Sequence, residues 1–337
     1  MLRNPRIILL ALAVVVVLAN VWLFAFTLGR PPASPPLPNP NGYDDFVKAA
    51  GLVTGDVTNA DDLDPDALRA LVATNAESLR LLRLGLTRQC ALPPDSVLAI
   101  GPGMADHVKA LYRLANLLEA EGRLREIDDH LADALQSYVD SIRLGNEMSR
   151  GGFVAHRLVG CACEADAFIQ LSRLVPTLEP KEARWLIAAL EKIDSSAVAW
   201  DEVQRNEYRI HQSEPIGAGF AKRLMTRLKA RPALRVFEMR HNQIAARLRL
   251  LAAALAVRCY QTEHSRKPTE LKQLVPEYLQ RVPLDPFSGR PMIYRLESWT
   301  WLLYSVGEDG VDNGGQPAPP AVPGSVPKGD LFYNSRY

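Results

Sequence analysis

Apolar residues run almost without interruption from Ile7 to Leu28, IILLALAVVVVLANVWLFAFTL, with Asn20 and Thr27 as the only polar positions. A helix of this length, at about 1.5 Å per residue, spans a hydrocarbon core of about 30 Å. It closes its own backbone hydrogen bonds, as lipid requires. Arg3 and Arg6 precede the run and only Arg30 follows closely, which places the N-terminus in the cytoplasm. The run is longer than a usual signal-peptide core. Bulky Trp22, Leu23 and Phe24 stand where a cleavage motif needs small residues, so residues 1–29 are expected to be an uncleaved signal anchor. Residues 30–41, RPPASPPLPNPN, carry six prolines and favour an extended polyproline spacer, giving a linker over 30–42. The expectation is a single-pass protein of a bacterial cytoplasmic membrane. Its first partner is the lipid bilayer, and everything after residue 42 is extracytoplasmic.

The pattern then becomes helical. Asp64-Pro65 sets an N-cap before a proline at the first helical position. Leu68, Leu71, Val72, Asn75, Leu79, Leu82 and Leu86 recur behind it at helical spacing, which predicts one helix. Pro93, Pro94, Pro102 and Gly103 break the pattern. A second helix carries Val108, Leu111, Ala115, Leu118 and Gly122, and a third carries Leu131, Ala134, Leu135, Tyr138, Ile142 and Gly145. Further helices are predicted over 153–174, from Pro180, and over 195–212. Together they form an α-helical domain over 43–231 with enough apolar surface for a core. Gly122, Ala134 and Tyr138 resemble the small, small and aromatic contacts of one degenerate tetratricopeptide unit. Glu121, Asp129 and Ser141 depart from that pattern and no repeat period is present, so a helical hairpin meeting at small residues is expected.

The last third changes character. Pro232 is expected to open a long helix with a stripe of Leu234, Phe237, Ile244, Leu248, Leu251 and Leu255, ending near Tyr260. DPFSGRP reads as a tight turn, since Pro286 fixes φ and Gly289 permits a positive one. PMIYRL and SWTWLLYSV, rich in β-branched and aromatic residues around Glu297-Ser298, read as a hairpin. Its apolar face needs a partner, which the helix stripe can supply.

This succession resembles the globular part of the major pseudopilins of type II secretion. The resemblance rests on Ala254, Leu255 and Tyr260; on Pro268, Thr269, Leu271 and Leu274; on Asp285, Pro286, Phe287, Gly289, Pro291 and Tyr294; and on Tyr304, Ser305, Gly307, Asp309, Gly310, Gly314, Gly315 and Asp330. It covers roughly the last hundred residues. It implies an α+β unit over 232–337 with a three-stranded antiparallel sheet. It also implies a calcium ion held by Glu308, Asp309, Asp312, Asn313 and Asp330, the hard oxygen donors that calcium takes. The residues alone leave a second reading open, in which GEDG and DNGG are plain turns. Residues 316–328, QPAPPAVPGSVPK, insert a proline-rich segment before Asp330. MLRNPRIILLALAV also lacks the Gly-Phe processing site and nearby glutamate of pseudopilins, so processing and polymerisation of that kind are not expected. The full chain resembles a group of bacterial single-span proteins sharing a proline linker, an NGYDDF-type start, a helical middle and this tail. That likeness implies no reaction.

Composition adds limits. With Lys+Arg 39 and Asp+Glu 38, the net charge of +1 does not mark a nucleic-acid binder. Asp44, Asp45, Asp56, Asp61, Asp62, Asp64 and Asp66 make an acidic start to the helical part. Lys222, Arg223, Arg227, Lys229, Arg231, Arg235 and Arg240 make a basic stretch later, and both read as solvated faces. Four cysteines are too few for a disulfide framework. Cys161 and Cys163 point to different faces of one helix, and an oxidising compartment would allow Cys90 to meet Cys259. The six histidines, His107, His130, His156, His211, His241 and His264, form no metal-ligand motif, and no nucleophile elbow or phosphate-binding loop occurs. Asp128-Asp129-His130 and the pair Glu202 and Glu207 could serve as acid/base groups, but helix faces and turns account for them. The sequence therefore favours a membrane-anchored interaction or scaffold protein with a protein partner. The alternatives are a pseudopilin-related secretion component, or an enzyme with a cleft site in the helical domain.

Overall fold

The computed structural model describes residues 36–93, 103–213, 220–297, 300–319 and 328–334. The expected anchor and most of the proline linker lie outside them. Among the described residues no helix is long and apolar enough to cross a membrane.

Asn41 starts the fold. Its side chain caps helix α1 (Gly42–Leu52) by accepting from the Tyr43 N–H at 3.2 Å. The same amide exchanges hydrogen bonds with both backbone groups of Ala91. The NGYDDF start is thus pinned to the segment that follows α3. Asp64 caps α2 (Pro65–Thr74) as predicted, accepting from Asp66 and Ala67. The single helix expected here breaks at Asn75, and α3 spans Ala76–Leu86. Asn75 is buried, and its amide bonds Thr54 N, Thr54 O and Leu71 O, which holds its backbone off helical angles.

Helices α4 (Met104–Ile127) and α5 (Leu131–Glu147) form the expected hairpin. Gly122 lies under Tyr138, where an added Cβ would come within 2.5 Å of the ring. α6 (Val154–Leu174) crosses α5 at Gly145 and Gly160, each backbone so close that a Cβ would meet the other's carbonyl oxygen. α7 (Pro180–Ser195) and α8 (Trp200–Ser213) follow. α8 begins five residues later than predicted, because Ser196 closes α7 with bonds to Lys192 and Ile193 carbonyls.

Helix α9 runs from Phe220 to His264, straight through Pro232, where a helix start was expected. An internal proline removes one hydrogen bond but does not end a helix whose neighbours, Ala230, Arg231, Ala233 and Leu234, are strong helix formers. The boundary drawn at 231/232 therefore falls inside one element. α9 buries Leu251, Leu255 and their neighbours in a cluster that also contains Leu186 and Leu190 of α7 and Phe168 and Leu171 of α6. Leu274, Met292 and Leu303 of the tail belong to the same cluster. A second cluster gathers α1 to α4 with Leu144, Met148 and Cys163.

The tail holds a two-stranded antiparallel ribbon, β1 (Ile293–Leu296) and β2 (Trp301–Tyr304), with Ile293 opposite Tyr304 and Leu296 opposite Trp301. Among the described residues the expected third strand is reduced to one bridge, Ser305 to Leu331. The chain just before Leu331 is drawn elsewhere. Asp330 pairs with 316–318, and the positive φ of Gly329 turns the backbone against Ala318. The four cysteines are all free and buried. Cys90 and Cys259 lie in different clusters, so they do not pair here.

Candidate functional site

Helices α2, α3 and α4 enclose an open cleft of about 570 Å³. Val72, Leu79 and Leu124 form its apolar floor, each buried against the helices beneath. Arg69, Arg80, Arg83 and Arg125 stand around it, with Glu121 and Asp128 as its carboxylates. The wall is a built charge network. Glu121, on α4, accepts two N–H groups from Arg83 and the Ser137 hydroxyl at 2.9 Å. Arg83 also reaches Asp140 at 3.1 Å, and Asp140 in turn accepts from Gln136 and Arg143. Buried carboxylates are tolerated only when paired and bonded in this way. At the rim, Arg69 bonds Asp66 and Asp128, Arg80 bonds Glu77, and Arg125 approaches Glu121 only at 3.9 Å. Among the described residues no histidine, cysteine, serine or threonine lines the cleft. The cleft presents guanidinium groups over an apolar floor.

The residues expected to hold calcium sit in one loop after β2 but serve different partners. Glu308 accepts from Gln243 of α9. Asp309 takes Val311 N and Asn313 Nδ2. Asp312 takes the Arg295 guanidinium, the Tyr304 hydroxyl and Gly314 N. Asp330, buried, takes Asn313 N at 3.2 Å and Gly315 N at 2.7 Å. Among the described residues no three His, Cys, Asp or Glu side chains converge as a metal site. The proline insertion leaves Asp330 bonded to this loop through Asn313 N and Gly315 N.

The acid/base candidates are structural in their contacts. Asp128 pairs with Arg69, and Asp129 takes a positive φ of 59° in the turn between α4 and α5. Glu202 accepts from Gly151 N and Glu207 from Val154 N, where they close the backbone at the start of α6.

Two buried groupings escaped the sequence reading. Arg157 and Glu164, two turns apart on α6, form a buried bidentate pair, and Arg157 Nε donates to His241 Nδ1 of α9 at 2.9 Å. Burial, with Arg157 and Arg249 nearby, pushes the His241 imidazole down to about 3. Near the other end, Tyr43 and His107 Nε2 share a 2.7 Å hydrogen bond, and the His156 ring lies 6.4 Å from that of His107. The available signal was a charged pair at i and i+7 and histidines within otherwise apolar helix faces. Only the packing reveals which side chains meet. Comparisons with protein-family models, with curated proteins and with solved structures returned no match.

Proposed function

We propose that this chain is a membrane-anchored, extracytoplasmic interaction protein whose helical part holds a protein partner in the α2–α4 cleft. The observation that carries this reading is the cleft itself, which is open, floored by Val72, Leu79 and Leu124, and rimmed by arginines without a nucleophile or a histidine. The carboxylates that could act as acid or base there, Glu121 and Asp128, are each bonded to an arginine, Arg83 and Arg69. The histidines most shifted by burial, His156 and His241, do not line the cleft. The apolar run from Ile7 to Leu28 supplies the anchor and the proline segment the spacer. The packed tail then serves as a rigid cap to the helical part.

A photoreactive residue placed at Ala73 in the cleft, and at exposed Ile169 as a control, tests this in intact cells. The expected result is one discrete adduct from Ala73, in the membrane fraction, and none from Ile169. A cysteine introduced at Ala73 should also react with a membrane-impermeant maleimide once the outer barrier is opened, since the native thiols are buried. Failure of that labelling before lysis would overturn the extracytoplasmic placement. Identical adducts from both positions would overturn the cleft.

A further inference from the structure

We infer that the first turns of α9, residues 220–236, form an interfacial helix that lays an apolar face on an anionic phospholipid surface. This rests on the membrane placement proposed above and is independent of the α2–α4 cleft. The rotation of the helix is set where it meets the helical part. Leu234 and Phe237 pack against the small cluster of Val154, Val198, Trp200 and Val203. Arg235 is exposed and Val236 is 48% exposed, on the other side of the helix. At about 100° per residue, seven or eleven positions along a helix return to nearly the same side.

α9 is one unbroken helix from Phe220, so that rotation carries back through its first turns. Leu224 and Leu228 stand eleven and seven positions before Arg235, and Met225 stands eleven before Val236, all on the outward side. Arg223, Thr226, Arg227 and Ala230 take the corresponding places before Leu234 and Phe237. The order is the reverse of a helix that turns its apolar stripe toward its own core and its charges toward water. An outward sector of Leu, Met and Leu is costly in water and calls for an apolar phase outside the protein.

The charge along the same turns identifies that phase. Lys222, Arg223, Arg227, Lys229, Arg231 and Arg235 fall between residues 215 and 237, where no Asp or Glu occurs. By helical register, Lys222 and Lys229 border the apolar sector at one edge, and Arg223 and Arg227 border it at the other. A helix lying in the headgroup region needs this order, with its apolar sector toward the acyl chains and its cations level with the phosphates. A protein groove would have to supply an apolar strip with carboxylates along both sides. An anionic bilayer offers both at every point, and the proposed anchor keeps a bilayer beside every copy of the chain.

The test uses the full chain in nanodiscs, with an environment-sensitive fluorophore on a cysteine introduced by Leu224→Cys or, for the opposite side, by Thr226→Cys; the native thiols are buried. One set of discs is phosphatidylcholine alone and the other adds phosphatidylglycerol, each with and without a doxyl-labelled lipid as quencher. The expected result is at least about threefold more quenching at position 224 than at 226 in the anionic discs, falling as salt rises because exposed charges are screened over about 10 Å. Lys222→Glu with Lys229→Glu should bring the quenching at 224 down to the level at 226. Equal quenching at the two positions, or in the two kinds of disc, overturns the inference. So does a fluorophore at 224 that is blue-shifted yet unquenched by lipid, which would place a protein, a second copy of this chain included, on the face. Each of these results leaves the anchor standing when the chain elutes with both kinds of disc. A chain that elutes free of both overturns the anchor and the inference together. A chain that elutes only with the anionic discs and is quenched at 224 overturns the anchor alone.

Discussion

His156 is wholly buried, with its ring 5.7 Å from that of Phe153 and 6.4 Å from that of His107. Its Nε2 has no hydrogen-bond partner among the described residues. Burial first, and His107 second, hold its imidazole down to about 4, against an ordinary value of 6.5. Above pH 6.5 neither the folded nor the unfolded chain protonates this ring, and the full stability is present. Below it the unfolded chain takes up a proton that the folded one refuses, so stability falls until the pH reaches about 4. At about 1.4 kcal/mol per pH unit for one proton, the interval is worth roughly 3 kcal/mol. Urea unfolding at pH 7 and pH 4.5 should therefore show a clear loss in the parent protein and a smaller one in His156→Leu. His241 acts in the same direction and remains in that variant. A variant that loses as much as its parent would show that His156 is not the group responsible. None of this was legible in the sequence, where six scattered histidines formed no motif. The placement depends on α1, α4 and α6 meeting, and that is a property of packing.

Among the elements, the DPFSGRP turn and the loop after β2 carry the most concentrated polar structure in the tail. Asp285 is buried and accepts from Phe287 N, Ser305 Oγ and Val306 N, which ties the turn to the end of β2. Asp285→Ala leaves those donors without their acceptor, at about 1–3 kcal/mol for each that stays buried. A loss of about 3 kcal/mol or more is expected in denaturant unfolding, and a loss below about 1 kcal/mol would remove Asp285 from this role. The neighbouring loop is held by Asp312 and Asp330 on its own N–H groups. Excess calcium and excess chelator should therefore give the same unfolding temperature. A bound ion would instead raise stability by mass action, by about 2.7 kcal/mol at a hundredfold excess over its dissociation constant. An upward shift lost in Asp309→Ala and Asp312→Ala would show the loop rearranging around calcium. The turns and the hairpin were legible because Pro, Gly and Asp carry their own backbone preferences. The break at Asn75 and the passage of α9 through Pro232 were not. Asn75 depends on Thr54, a residue 21 positions away, and Pro232 is outweighed by the helix formers around it.

At the scale of the molecule, the helical part and the tail share a core. Leu190 of α7, Leu251 and Leu255 of α9, and Met292 and Leu303 beside and within the ribbon lie in one cluster. α5 and α6 face both clusters: Ile142 and Cys161 belong to the one shared with the tail, Leu144 and Cys163 to the one built on α1 to α4. The opposite pointing of Cys161 and Cys163, legible from a spacing of two on a helix, thus marks α6 as a wall between two cores. A division at 231/232 would cut α9 and leave the faces of α6 and α7 uncovered. Unfolding should then be cooperative across residues 37–337, a unit the contacts do not divide. The buried thiols report on this without any substitution. Cys259 lies in the cluster shared with the tail and Cys90 in the one built on α1 to α4, and burial pushes the Cys90 thiol up to about 12 and raises that of Cys259. Both are therefore slow to react with a maleimide while the fold is intact. In pulse labelling along a urea gradient, with the site of modification read by mass spectrometry, Cys90 and Cys259 should become reactive at the same urea concentration. Labelling of Cys259 well before Cys90 would mean that α9 and the tail come away first, and that the shared cluster does not couple the two parts.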